Sequence, residues 1–114
     1  MLQVLANQNS LVHNFLKELR SVKIQKDSMR FRRNLQRIGE IMAYEISKTL
    51  EYNEKEINTP LGKTISKVAE KVVLANVLRA GLPLHQGLLN YFDGADSAFV
   101  SAYRKFTSEN KLEV

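Results

Sequence analysis

The residues best suited to chemistry stand in one short run, Val77-Leu78-Arg79-Ala80-Gly81-Leu82-Pro83. The apolar stretch Val72–Leu78, rich in β-branched residues, has the profile of a buried strand. A strand ending there delivers Arg79 to its carboxyl end, where open α/β sheets place their ligands. Ala80 and Gly81 carry little or no side chain, so a ligand can approach the backbone N–H groups closely. Pro83 suits the first turn of a following helix, whose positive end then faces the same place. Arg79 can grip an oligophosphate there through two parallel charge-assisted hydrogen bonds. A plain β-α turn with a solvated Arg accounts for the spacing equally well.

Arg104 repeats the geometry. It follows a second strand candidate, Ala98–Tyr103, and should emerge at the carboxyl end of the same sheet. Arg79 and Arg104 on neighbouring strand ends would form a site for a highly charged phosphate ester. Lys105 points the other way if the strand persists and is set aside. Other chemistries lack their motifs: there is no Walker-type phosphate loop, dinucleotide fingerprint, His-Glu-x-x-His or calcium loop. His13 and His85 are isolated in sequence and are expected as surface or capped side chains. The absence of Cys excludes disulfides and thiolate metal sites and fits a reducing compartment.

The elements that position these residues follow from periodicity. Pro83 opens a helix to about Phe92 with Leu84, Leu88 and Leu89 on one face, and Asp93-Gly94-Ala95-Asp96 is a turn. Strand, helix and strand make a βαβ unit, which demands a parallel sheet. Upstream, Asn9 or Ser10 caps a helix carrying Leu11, Phe15, Leu16 and Leu19. Asp27 or Ser28 caps a longer one running to about Thr49, with Phe31, Leu35, Ile38, Met42 and Ile46 in one apolar stripe. Glu54–Asn58 reads as extended and Thr59-Pro60 as a turn. Lys111–Val114 resembles the start of another extended segment. A parallel sheet of two strands needs both faces and both edges covered, so the sequence reads as if cut in mid-fold. The expected organisation is a helical arm over residues 1–52 and the first part of an α/β domain over 53–114.

With 114 residues, 44% hydrophobic and 25% charged, the composition is that of one small globular domain and excludes disorder. The net charge of +5 is uneven: residues 1–40 hold eight basic against three acidic side chains, and Glu45, Glu51, Glu54 and Glu56 follow. Arg30, Arg33 and Arg37 form a stripe that could lie along nucleic-acid phosphates. Against that, aromatics are not interleaved as single-strand binders use them. A solvated or subunit-facing surface, with Arg37–Glu40 and Glu45–Lys48 pairs, explains the stripe as well. The arm, with Phe15, Phe31 and Met42, is a candidate for oligomerisation. No apolar run approaches the ~20 residues of a membrane span. Met1–Ala6 is too short for a signal peptide and lacks a basic flank, so the expectation is a soluble cytoplasmic protein.

Taken together, Leu78-Arg79-Ala80-Gly81-Leu82, Gly87-Leu88-Leu89 and Tyr103-Arg104 resemble the uracil phosphoribosyltransferase family. So do Arg30-Phe31-Arg32, Ile38-Gly39, Ala43-Tyr44-Glu45 and Thr59-Pro60-Leu61-Gly62, in order from about residue 10 to 106. The resemblance implies a type I phosphoribosyltransferase fold that joins uracil to phosphoribosyl pyrophosphate, giving UMP and pyrophosphate. It further implies that Arg79, Ala80 and Gly81 hold the pyrophosphate, that Arg104 contacts phosphoribosyl pyrophosphate, and that Mg²⁺ arrives with that substrate. A cis non-proline peptide near Leu78–Arg79 or Arg79–Ala80, and a dimeric or tetrameric assembly, are also implied. Two family features do not occur in these residues: an Asp-Pro-Met-Leu-Ala-Thr-Gly type loop for the 5′-phosphate and the later segment that recognises uracil. Both are expected beyond Val114, and Asn76 stands where many relatives have Pro. The chain thus reads as an N-terminal half, expected to have no transferase activity by itself.

Overall fold

The computed structural model describes residues 2–101, 105–106 and 112–113. Helix α1 spans Val12–Arg20 and α2 spans Ser28–Ser47. They are followed by β1 (Tyr52–Thr59), β2 (Gly62–Ala69), β3 (Val73–Leu78), α3 (Leu82–Tyr91) and β4 (Asp96–Ser101). The short strands β5 (Lys105–Phe106) and β6 (Leu112–Glu113) pair antiparallel.

Both N-terminal helices start where polar side chains can satisfy their first N–H groups. The Ser10 hydroxyl accepts from Val12 N–H at 3.2 Å, and the Asp27 carboxylate accepts from Arg30 N–H at 3.0 Å. The apolar faces differ from the expected ones. In α1 it is Val12 that is buried, whereas Leu11 is exposed. In α2 the stripe from Phe31 to Met42 is only half-buried and Ile46 is exposed; the enclosed residues are Asn34, Gly39 and Ala43.

The reason lies in α3. Gly39 and Gly87 bring the two helix backbones together: a Cβ on Gly39 would lie 3.2 Å from the Gly87 Cα. A Cβ on Gly87 would run into the Gln36 carbonyl oxygen and lie 3.0 Å from the Glu40 amide nitrogen. Helices packed this closely leave no room for large side chains between their axes, so the stripe is displaced to the flanks of the contact.

Helix α1 is held to α2 by a polar cluster. Fully buried Asn34 donates to the Glu18 carboxylate at 3.1 Å, Arg30 pairs with Glu18 at 3.1 Å, and Arg37 donates to Asn34 Oδ1 at 3.1 Å. The Arg37 guanidinium also lies 5.4 Å from the centre of the Phe15 ring. The hydrogen bond from Asn34 is the largest influence on the Glu18 carboxyl; desolvation opposes it, and the hydrogen bond and charge of Arg30 with the charge of Arg37 tip the balance to below the usual range.

The extended piece expected over Glu54–Asn58 is one arm of a hairpin whose second arm, β2, the pattern did not reveal. The strands pair from Tyr52↔Ala69 to Thr59↔Gly62 around Pro60-Leu61, and Gly62 takes φ +128°, a conformation that favours glycine. Tyr52 ties the hairpin's root to the end of α2 by donating to the Ser47 carbonyl at 2.7 Å. The hairpin is otherwise exposed on both faces, which is why its sequence lacks a clean apolar alternation.

The βαβ unit forms as expected, with β3 and β4 parallel from Val73↔Asp96 to Leu78↔Ser101. The strands are not buried on both faces, however. Leu74, Asn76 and Leu78 turn towards α3, while Val73, Val77 and Val100 are 65%, 56% and 57% exposed on the other side. Among the described residues no helix covers that second face.

Two consequences can be measured. Gly87→Ala should separate α2 from α3 and lower stability by about 1–3 kcal/mol in urea unfolding. Gly94→Ala, where a Cβ meets nothing, should leave the midpoint unchanged. For Glu18, a depressed folded-state pKa gives stability that is present above the unfolded value and lost as pH falls through the folded one. The unfolding midpoint should therefore fall between about pH 6 and pH 3, and Glu18→Gln should show a smaller fall.

Candidate functional site

The turn after β3 is built by backbone hydrogen bonds. Gly81 N–H donates to the Val77 carbonyl at 3.2 Å, Leu82 N–H to Arg79 O at 3.1 Å, and His85 N–H to Gly81 O at 2.9 Å. The Leu78–Arg79 peptide bond is cis, at one of the two positions expected. α3 then begins at Leu82 with Gly81 as its N-cap, no side-chain cap, and Pro83 in the first turn. The Gly81, Leu82 and His85 N–H groups are thus engaged and Pro83 has none, so what this helix end offers is the Leu84 N–H and the positive end of the helix dipole. Arg79 and Ala80 are exposed beside it, and among the described residues no carboxylate lies within ion-pair distance of Arg79. The net local field is positive, which suits an anion.

Gly81 is required by its surroundings rather than by its own φ, which is −76°. A Cβ would run into Asn76 Oδ1 from below and lie 2.9 Å from the Val77 carbonyl oxygen. Asn76 itself is buried, and its Nδ2 has no hydrogen-bond partner among the described residues. Its place on the α3 side was readable from the alternation Leu74, Asn76, Leu78, a signal outweighed by the apolar character of the run.

His85 departs from the expectation of a surface or capped side chain. It is buried between α3 and β4, with Nε2 3.1 Å from Ser97 Oγ and its ring centre 5.3 Å from that of Phe99. These contacts fix the first turn of α3 over the sheet and thereby the direction in which its N-terminus points. His85 lies one helical turn from Leu88 and Leu89, so helical spacing places it at the edge of the inner face.

The other expected site residues divide. Arg104 lies outside the described residues; the strand leading to it, β4, is described to Ser101, which pairs with Leu78. The stripe of Arg30, Arg33 and Arg37 is largely engaged within the molecule. Arg30 and Arg37 belong to the Glu18–Asn34 cluster, and Arg33 donates to Gln36 at 2.9 Å. The Glu45–Lys48 pair forms at 3.1 Å. Phe15, Phe31 and Met42 are half-buried. No helix among the described residues is long and apolar enough to cross a membrane.

A parallel strand pair joined through a tight turn and a helix fixed over the sheet makes this an α/β protein with a strand-end turn open to a ligand. A solved structure from Aquifex aeolicus superposes with a TM-score of 0.76 at 24% identity, over 93% of this chain and 50% of that one, which supports the fold. The model of the family described as uracil phosphoribosyltransferase matches residues 6–113, and the chain belongs to that family. It is 50% identical over 111 residues to the uracil phosphoribosyltransferase of Porphyromonas gingivalis, which covers 96% of this chain and 51% of the relative. A relative of the same description from Methanococcus maripaludis is 40% identical over 81% of this chain and 41% of its own length. One from Malacoplasma penetrans is 43% identical over 72% and 40%. The chain thus spans about half or less of the length of these relatives.

Gly81→Ala tests the fit of the turn. The added methyl meets Asn76 and the Val77 carbonyl, so a loss of about 1–3 kcal/mol is expected, with faster amide exchange confined to residues 79–82.

Proposed function

We propose that these 114 residues form the pyrophosphate side of a uracil phosphoribosyltransferase, which converts uracil and phosphoribosyl pyrophosphate into UMP and pyrophosphate. The observation that carries this reading is the Arg79-Ala80-Gly81 turn, exposed at Arg79 and Ala80, at the carboxyl end of a parallel strand and leading into the uncapped N-terminus of α3. Uracil as the base rests on membership of the family.

In this reading Arg79 pairs with the oxygens of the pyrophosphate group, and the Ala80 N–H and the positive end of α3 face the same anion. Arg104 adds a second guanidinium. As the bond from ribose to pyrophosphate opens, negative charge gathers on the leaving group. Donors already aimed there stabilise the separated charges without reorganising. Residues 1–52 serve as a helical arm and 53–114 as the first half of the catalytic fold. A dimer or tetramer and a cytoplasmic setting accompany the reading.

The residues at the turn do not fit a direct metal site. Arg79 is a cation, Ala80 and Gly81 have no side-chain donor, and no group of three or more His, Cys, Asp or Glu able to hold a metal exists among the described residues. Mg²⁺ in this reading accompanies the phosphate oxygens of the substrate and has no protein ligand among the described residues.

The test is calorimetric titration of the 114-residue chain with pyrophosphate, beside an assay for UMP formed from uracil and phosphoribosyl pyrophosphate. Binding without turnover is expected. Arg79→Ala should weaken binding by roughly 10–100-fold, the equivalent of losing charge-assisted hydrogen bonds of about 1.5–3 kcal/mol. Failure of the unaltered chain to bind pyrophosphate would overturn the reading, and UMP formation would show that the remaining site is not needed.

A further inference from the structure

Asn76 is the one polar residue on the inner face of β3, between Leu74 and Leu78, and only 7% of it is exposed. A carboxamide in such a place needs partners for both its oxygen and its nitrogen, since an unpaired buried donor weakens the fold. Here Nδ2 has no partner among the described residues. The group is not lodged at random. Its oxygen occupies the space a Gly81 side chain would need, and its Cγ lies 3.2 Å from that position. The carboxamide therefore sits directly beneath the residue that opens α3, at the helix end that lacks a side-chain cap.

An apolar side chain of similar volume would fill this position without an orphaned donor. A buried carboxamide whose nitrogen has no partner among the described residues, set against the phosphate-facing turn, fits a role exercised when the turn is occupied. We propose that Asn76 is a positioning residue for the oligophosphate site. Its carboxamide supports Gly81 from below, and its Nδ2–H finds an acceptor in the turn once the turn closes around a pyrophosphate group. Asn76 acts through the turn and does not touch the ligand. This role rests on the phosphate reading given above.

The experiment compares thermal unfolding and pyrophosphate titration for the unaltered chain, Asn76→Leu and Arg79→Ala. For Asn76→Leu the two readouts should move in opposite directions. The unfolding midpoint should be unchanged or higher, because the orphaned donor is gone, while pyrophosphate binding weakens about tenfold, the worth of roughly one hydrogen bond. A purely structural side chain would lower the midpoint together with the affinity, and that result overturns the proposal. So does Asn76→Leu binding pyrophosphate as tightly as the unaltered chain while Arg79→Ala does not; the phosphate reading then stands without Asn76. If the unaltered chain does not bind pyrophosphate, the phosphate reading falls and this role with it. Should Asn76→Leu fail to fold, Asn76→Ala decides by affinity: binding weakened at a midpoint lowered no further than a small cavity requires supports the proposal, and unchanged binding overturns it.

Discussion

The contact on which the rest of this structure depends is the close approach of α2 and α3 at Gly39 and Gly87. Neither glycine is there to bend a chain; each is there because the opposing backbone already occupies the space of a side chain. The approach sets the position of α3 against the arm, while His85, Ser97 and Phe99 set it against the sheet. Held from both sides, the helix has little freedom to rotate. The direction of its N-terminus, and with it the field at Arg79, is a product of how the helix packs against α2 and the sheet.

The turn itself shows why small residues and a positive field occur together. Charge attraction between an anion and the N–H groups falls quickly with distance and with intervening water. Ala80 and Gly81 permit close approach from outside, and Asn76 fills the space beneath Gly81 from inside. The backbone is thereby confined between an exposed surface and a buried carboxamide. By contrast, two of the arginines of α2 are engaged within the fold. Arg30 and Arg37 converge on the Glu18–Asn34 cluster, so two members of the basic stripe brace α1 against α2.

Among the described residues the sheet is covered on one side only. Parallel strands are ordinarily covered on both faces because each presents apolar side chains in both directions. β3 and β4 meet α3 with Leu74 and Leu78 and present Val73, Val77 and Val100 to solvent. The relatives are about twice as long as this chain, and the shared half contains the strand-helix-strand unit together with the arm that braces it. The turn needs only those parts: β3 to deliver Arg79, α3 to aim its N-terminus, and α2 to hold α3.

Local signals in the sequence determined a good deal of this. The cap at Asp27, the four- and three-residue steps of α2, Pro83 in the first turn of α3 and the β-branched run of β3 are each decided by neighbours in the chain, and so is the parallel pairing that a strand-helix-strand order imposes. The Arg79-Ala80-Gly81 turn was legible for the same reason, since residue type and strand polarity place it at the sheet's carboxyl end. Tertiary structure alone decided which faces were enclosed. The buried side of α2 runs through Gly39 and Ala43 instead of the larger apolar stripe because the partner helix comes too close for anything bigger. β2 escaped notice because an exposed hairpin has no inner face to impose alternation. Asn76 and His85 became inner residues only when α3 was laid across the sheet. Burial depends on what arrives from distant parts of the chain, and periodicity reports only which residues can share a face, not what will cover it.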